Sequence, residues 1–284
     1  MPSHTLAKIE YKDLDIIGYS VAGEETVVAV PRLDVCFDIG KAPDQVISIN
    51  HVLLTHGHMD HAAGIAYYLS HRHFDGQTPG TVLAPQPLID PIQHILDHWG
   101  TLDGNPIPSR LIGLEDGQEF PIKPNLFVHA FATDHCQSSM GYTVFERRMK
   151  LKPEYATLKG PEIVELKRQG LTINHPLDIP IVTYLGDIPY TDFSASEKIA
   201  NSKILITECT FFKEEHIDRA KAGRHLHVQD LERLLENLNN ERIVLIHATQ
   251  RTGMKENKQI LKAHLSQKWH DRVVLLMDHR SRRK

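Results

Sequence analysis

The stretch Leu53–Gly64, LLTHGHMDHAAG, places His56, His58, Asp60 and His61 within six residues, directly after an apolar run. Imidazoles and a carboxylate crowded this way gain no stability from one another. They are the donors that bind zinc, with manganese or iron also compatible. On a tight turn, His56 and His58 can meet one metal while Asp60 and His61 turn to a second. His135 would complete the first site and His247 the second, and Asp187, with two oxygens to share, could bridge them. Two ions roughly 3.5–4 Å apart would hold a hydroxide between them and offer a Lewis acid to a phosphoryl oxygen.

Such a site needs a scaffold that delivers distant residues to one place. Short apolar runs alternate with helical patterns along the chain. Strands are expected over 27–30, 33–40, 50–56, 81–85, 126–133 and 141–146, then over 179–187, 202–212, 242–249 and 272–277. Helices are expected over 62–71, 87–99 and 228–238. His56, Asp187, Glu208 and His247 each end an apolar strand, and His135 lies just past one. Loops at strand ends converge on one edge of a sheet scaffold. The pattern predicts a layered α/β fold with a single site on its rim.

The bulk properties agree with one domain spanning residues 1–284, at 41% hydrophobic and 24% charged residues. Neither a membrane-crossing run nor a signal-peptide pattern is present, so a soluble, cytoplasmic protein is expected. Three scattered cysteines, Cys36, Cys136 and Cys209, argue against a disulfide framework. A formal charge of −4 excludes a wholly basic nucleic-acid binder, although FERRMKLK and the tail HRSRRK are locally basic.

The order HxHxDH, His, Asp, late His resembles that of the metallo-β-lactamase fold. Finer segments resemble the ribonuclease Z family, the tRNA 3′-processing endonucleases, in its short plant-type form. These are SSMGYTVF after His135, the stretch MKLKPEYATLKGPEIVELKRQG, LGD ending at Asp187, TECTF around Glu208, RHLHV and HATQR. The resemblance implies an αββα sandwich of two mixed sheets with helices on both outer faces. It implies two zinc ions, a homodimer, and precursor tRNA rather than DNA or a membrane as partner. The reaction implied is phosphodiester hydrolysis by a metal-bridging hydroxide, 3′ to the discriminator nucleotide, leaving a 3′-hydroxyl. Asp60 would also orient the attacking water. Glu208 and a histidine, His225 or His227 with spacing favouring His225, would assist the leaving oxygen. Thr249 and Arg251 would hold a phosphate oxygen.

Some positions depart from the family pattern. Ile188 stands where a Thr is frequent, Thr252 where a Tyr is usual, and Arg224 precedes His225 where a Gly is expected. No PxKxRN-type loop is found, and the short chain between Gly170 and Pro180 predicts an absent or reduced substrate-gripping arm. The alternative is therefore a dinuclear hydrolase of the same fold acting on another phosphodiester or a small ester or thioester. A silent binding module is a third reading, opposed by the complete donor set. His71, His73, His94 and His98 read as surface histidines, Cys136 as a small filler, and Gly160-Pro161 as a turn.

Overall fold

The computed structural model describes residues 5–280; the end of the basic tail, residues 281–284, lies outside them. Two seven-stranded sheets stack face to face. The first runs, in order, through β1 (Ala7–Tyr11), β2 (Leu14–Val21), β3 (Glu25–Val30), β4 (Val35–Phe37), β5 (His51–Leu53), β6 (Thr81–Pro85) and β7 (Arg110–Leu114). The second comprises β8 (Glu119–Lys123), β9 (Leu126–Ala132), β10 (Met140–Leu151), β11 (Asn174–Tyr184), β12 (Ile204–Glu208), β13 (Arg242–Ile246) and β14 (Val273–Leu275), in the spatial order β14 to β8. Each sheet is half antiparallel and half parallel: β1 to β4 and β8 to β11 meander, while β4 to β7 and β11 to β14 run parallel.

Alternation along the strands builds the layers. On β12, Ile204 and Ile206 enter the core between the sheets, where Phe37, Leu53, Val144 and Tyr184 also lie. Leu205 faces the other way, onto α7 (Val228–Leu235) through Leu231 and Leu235. On the far side, Val52, Val82 and Ala84 pack against Tyr68, Leu69, Ile92 and Leu96 of α2 (Ile65–Phe74) and α3 (Ile89–Asp103). Strands apolar on both faces need cover on both, which is why helices flank a parallel region. The remaining helices are α1 (Met59–Ala62), α4 (Gly160–Arg168), α5 (Glu197–Ala200), α6 (Ile217–Gly223) and α8 (Met254–His264). No helix among the described residues is long and apolar enough to cross a membrane.

Several expected strands are shorter than their apolar runs. The runs 33–40 and 50–56 form strands only over Val35–Phe37 and His51–Leu53; just past them the Asp38 carboxylate accepts from Thr55 N–H and from its hydroxyl. In contrast, β10 and β11 outrun expectation. Beyond Glu146 and Ile179 they pair only with each other, down to Leu151 and Asn174. Where an absent or reduced arm was expected, the chain forms a short two-stranded ribbon capped by α4, which buries none of its residues. Gly160-Pro161 opens this helix and is not a simple turn.

At the root of the ribbon, Arg147 forks onto Asp178 (2.7 and 2.8 Å), and Lys198 approaches Asp178 at 2.9 Å. These cations, Arg147 first, hold the Asp178 carboxyl down at about 2. A carboxylate with a depressed folded pKa stabilises the fold above its unfolded value of about 3.9, and that contribution disappears as pH falls through the folded value. Asp178→Asn is therefore expected to cost about 1 kcal/mol at pH 7. The gap from wild type should narrow below about pH 4 and close near pH 2, as read from urea melts.

Candidate metal centre

The site lies where strands of both sheets end. The loop after β5 carries His56, His58, Asp60 and His61, with α1 returning Asp60 and His61 towards the strand ends. His135 comes from the β9–β10 loop, Asp187 follows β11, Glu208 ends β12, and His247 follows β13. His56, His58, His135 and Asp187 form one cluster of donor atoms, and Asp60, His61 and His247 form another.

Hydrogen bonds fix which nitrogen of each ring faces inward. Thr55 Oγ1 donates to Asp38 (2.8 Å), so it accepts from His56 Nδ1–H (2.9 Å). Asp38 also accepts from His61 Nδ1–H (2.8 Å) and from the Tyr184 hydroxyl (2.9 Å). Thr210 Oγ1 donates to Glu208, so it accepts from His247 Nδ1–H (2.9 Å). His135 Nδ1–H donates to the Arg224 carbonyl (3.0 Å). Four imidazoles therefore direct Nε2 into one space, the arrangement of metal-ligating histidines held by outer partners. His58 contributes Nδ1 instead, 2.9 Å from His56 Nε2 and 3.3 Å from His135 Nε2.

The residues present fit a metal. Donors about 2.0–2.1 Å from one tetrahedral ion lie roughly 3.3 Å from one another. His61 Nε2 and His247 Nε2 are 3.4 Å apart, and Asp60 Oδ2 is 3.4 Å from the latter. Between the clusters, Asp187 Oδ2 is 3.3 Å from His61, 3.4 Å from His247, 3.8 Å from His135 and 3.9 Å from His56. One oxygen reaches both clusters, not one each as expected. The second, Oδ1, is buried with no hydrogen-bond partner. Gly186 permits this placement: its φ is +67°, and an added Cβ would sit 2.9 Å from Thr55 Cγ2.

The electrostatics favour added positive charge. Burial, and after it the neighbouring His61, push His56 down to about 2, so it is neutral and free to ligate. Burial opposes charge on His61 too, but Asp187 and Asp38 outweigh it and hold its pKa well above the ordinary value. Burial alone would raise Asp187; the surrounding imidazoles, His247 foremost, keep it well below the usual range.

Beside the clusters, Glu208 is fully buried and accepts from Ile188 N–H and from His225 Nδ1–H, both at 2.8 Å. Glu208 raises His225 to about 9 against the effect of burial. His227 stands elsewhere: it caps α7 by accepting from Gln229 N–H and lies 2.9 Å from the Lys213 carbonyl. Ile188, where a Thr was expected, supplies its backbone N–H and packs its side chain in the outer core. Arg224 takes the left-handed φ of 52° that a Gly would take, and its guanidinium meets Asp134 at 2.8 Å. Thr249 and Arg251 line the cavity of about 510 Å³ over the clusters, with Thr249 Oγ1 accepting from Arg251 N–H. His71, His73, His94 and His98 take no part in these clusters.

Reasoning from sequence missed Asp38, Thr55 and Thr210. Asp38 ends an apolar run just as Asp187 does, so the strand-end rule could have found it. The two threonines carried no such signal.

Residues 34–248 match the beta-lactamase superfamily domain. Over 252 residues the chain is 33% identical to tRNase Z TRZ1 of Arabidopsis thaliana, covering 87% of this chain and 90% of that one. The chain belongs to the tRNase Z family. It is also 30% identical to the chloroplastic tRNase Z TRZ2 of the same plant, over 88% of this chain and 72% of that one. In fold it is similar to human tRNase Z, short form (TM-score 0.59, 18% identity, 82% and 92% covered). It is similar also to the metallo-beta-lactamase fold protein YhfI of Bacillus subtilis (TM-score 0.62, 14% identity, 90% and 92% covered). The αββα sandwich and divalent-metal chemistry expected from the sequence agree with this membership.

Asp38→Asn removes an acceptor shared by His61, Thr55 and Tyr184. It is expected to weaken metal binding by about 10- to 100-fold, measured by competition with a chromophoric chelator, while circular dichroism stays that of a folded chain.

Proposed function

We propose that the protein is a zinc-dependent endonuclease that removes 3′ trailers from tRNA precursors. His56, His58 and His135 would hold one ion, and Asp60, His61 and His247 the other, with Asp187 between them. When bound, the pair supplies a water made nucleophilic at neutral pH and a Lewis acid for the phosphoryl oxygen. The protein's own residues do the rest. Asp60, steadied by Gly23 N–H at 2.8 Å, orients the attacking water. Glu208 holds His225 by Nδ1, which leaves Nε2 as the atom that gives a proton to the departing 3′-oxygen. Thr249 and Arg251 hold a phosphate oxygen.

The observation that carries this reading is the Glu208–His225 pair, with His225 Nδ1 3.9 Å from Asp187 Oδ2. A dinuclear centre alone serves many hydrolases; a buried carboxylate aiming a proton donor beside it serves expulsion of a poor alkoxide leaving group. The relatives, which are tRNase Z proteins, support the substrate. So does the arm, where Lys150, Lys152, Lys159, Lys167 and Arg168 outnumber Glu154, Glu162 and Glu165, a surface suited to a polyanion.

A homodimer is part of the proposal. Tyr67 and Phe74 on α2, and Ile95, Trp99 and Leu102 on α3, are apolar and 51–87% exposed. They follow helical spacing around a cavity of about 300 Å³ that Tyr67 and Trp99 share. A second copy is the occupant such a face suits. Three unpaired cysteines are consistent with the cytosol as compartment.

Zinc-loaded protein is expected to cut a precursor tRNA at the 3′ end of its acceptor stem; a trailer left intact at every salt concentration refutes the proposal. His225→Ala should lower kcat by about 10²- to 10⁴-fold without changing metal content by mass spectrometry, whereas Glu208→Gln, which also stands behind His247 through Thr210, should lower kcat as far and weaken metal binding as well. Trp99→Glu with Leu102→Glu should convert a dimer to a monomer in analytical ultracentrifugation; an unchanged sedimentation coefficient counts against the helical face.

A further inference from the structure

One wall of the cavity over the site has no role in the reaction above. Phe211 and Arg219 line it, next to Gly223 and His225. Phe211 is the first residue beyond Thr210, and its backbone is held on both sides. Its N–H donates to the Leu226 carbonyl (3.4 Å), and its own carbonyl accepts from Val228 N–H (2.9 Å). The half-buried ring meets His216 edge to face at 5.6 Å and His225 at 6.2 Å between centroids. A fixed aromatic surface thus stands beside the imidazole assigned to the leaving oxygen.

Arg219 projects from α6 and is exposed. Its neighbours Lys213 and Arg224 are engaged, with Glu256 at 3.0 Å and Asp134 at 2.8 Å. Arg219 pairs with no carboxylate among the described residues. A rigid ring and an unpaired guanidinium on one wall match two parts of one nucleotide, its base and its phosphate.

We propose that Phe211 and Arg219 form the subsite for the nucleotide on the leaving side of the cut. Phe211 stacks on the base of the nucleotide whose 3′-oxygen departs, and Arg219 pairs with the phosphate on that nucleotide's 5′ side. The side follows from connectivity. The departing oxygen must lie at His225, and among the described residues the phenyl ring that meets His225 is that of Phe211, so the base it meets belongs to the sugar that carries this oxygen. The inference rests on the endonuclease reading and on the role given there to His225.

The test compares two precursor tRNAs, one intact and one abasic at the last nucleotide before the cut. On the intact substrate, Phe211→Ala and the better-packed Phe211→Leu should each lower kcat/KM by about 5- to 100-fold. On the abasic substrate both should match wild type within about 2-fold. Arg219→Ala should raise KM with kcat little changed and flatten the log–log salt dependence by about one, with Arg219→Lys restoring the slope. Equal losses on both substrates would mean that Phe211 only props His225, and would overturn the stacking role, as would no loss on either. An unchanged salt slope would overturn the role of Arg219. If wild-type protein left the intact precursor whole, the endonuclease reading itself would fall, and this subsite with it.

Discussion

One buried oxygen, Asp187 Oδ2, sets the terms for the rest of the molecule. It lies within 3.9 Å of ring nitrogens from His56, His61, His135, His225 and His247. A carboxylate taken out of water is costly unless charge or hydrogen bonds replace its hydration. Here the nearest groups are the ring nitrogens of five histidines, crowded against it and against one another. Cations held among them would turn that crowding into coordination. The demand reaches back to the architecture, since no single loop could supply five rings around one atom. Both sheets must end at the same rim.

The groups behind the ligands repeat a single device in the two halves. In the first sheet, His56 leans on Thr55, which leans on Asp38; in the second, His247 leans on Thr210, which leans on Glu208. Each chain of donors ends on a buried carboxylate and leaves an imidazole with one orientation and one tautomer. Each carboxylate also aims a second imidazole, Asp38 the ring of His61 and Glu208 that of His225. At Glu208, ligand geometry and proton donation therefore share one carboxylate, and disturbing it disturbs both. Tyr142 and Tyr184 tie these halves together, through the Leu54 carbonyl and Asp38.

Much of this was legible in the sequence because catalysis needs particular side chains at particular chain positions. Histidine and carboxylate at the ends of apolar strands marked the site, and runs such as Thr81–Pro85 marked strands to the residue. Other features depended on partners far away in the chain. Asp38 looks like part of a strand until Thr55, His61 and Tyr184 are seen to converge on it. The Arg147–Leu151 strand was invisible because its only partner, Asn174–Asp178, is polar and buries little. The strands β1, β2, β7 and β8 went unassigned: three of them lie on sheet edges, where exposed positions interrupt the apolar signal, and β2 carries an aspartate early in its run. Spacing already favoured His225 over His227, and the structure adds that one meets Glu208 while the other starts a helix.

The spread of the donors from His56 to His247 has a consequence for how the protein is made. Synthesis proceeds from the N-terminus, and the first sheet can pair long before the second exists. At that stage only a fragment of each donor cluster has emerged, and neither Asp187 nor His247 is available. Tight capture of the ions must wait until almost the entire polypeptide has left the ribosome. A chain that ended early would lack Asp187 and His247, and with them the groups that join the donors of the first sheet to those of the second.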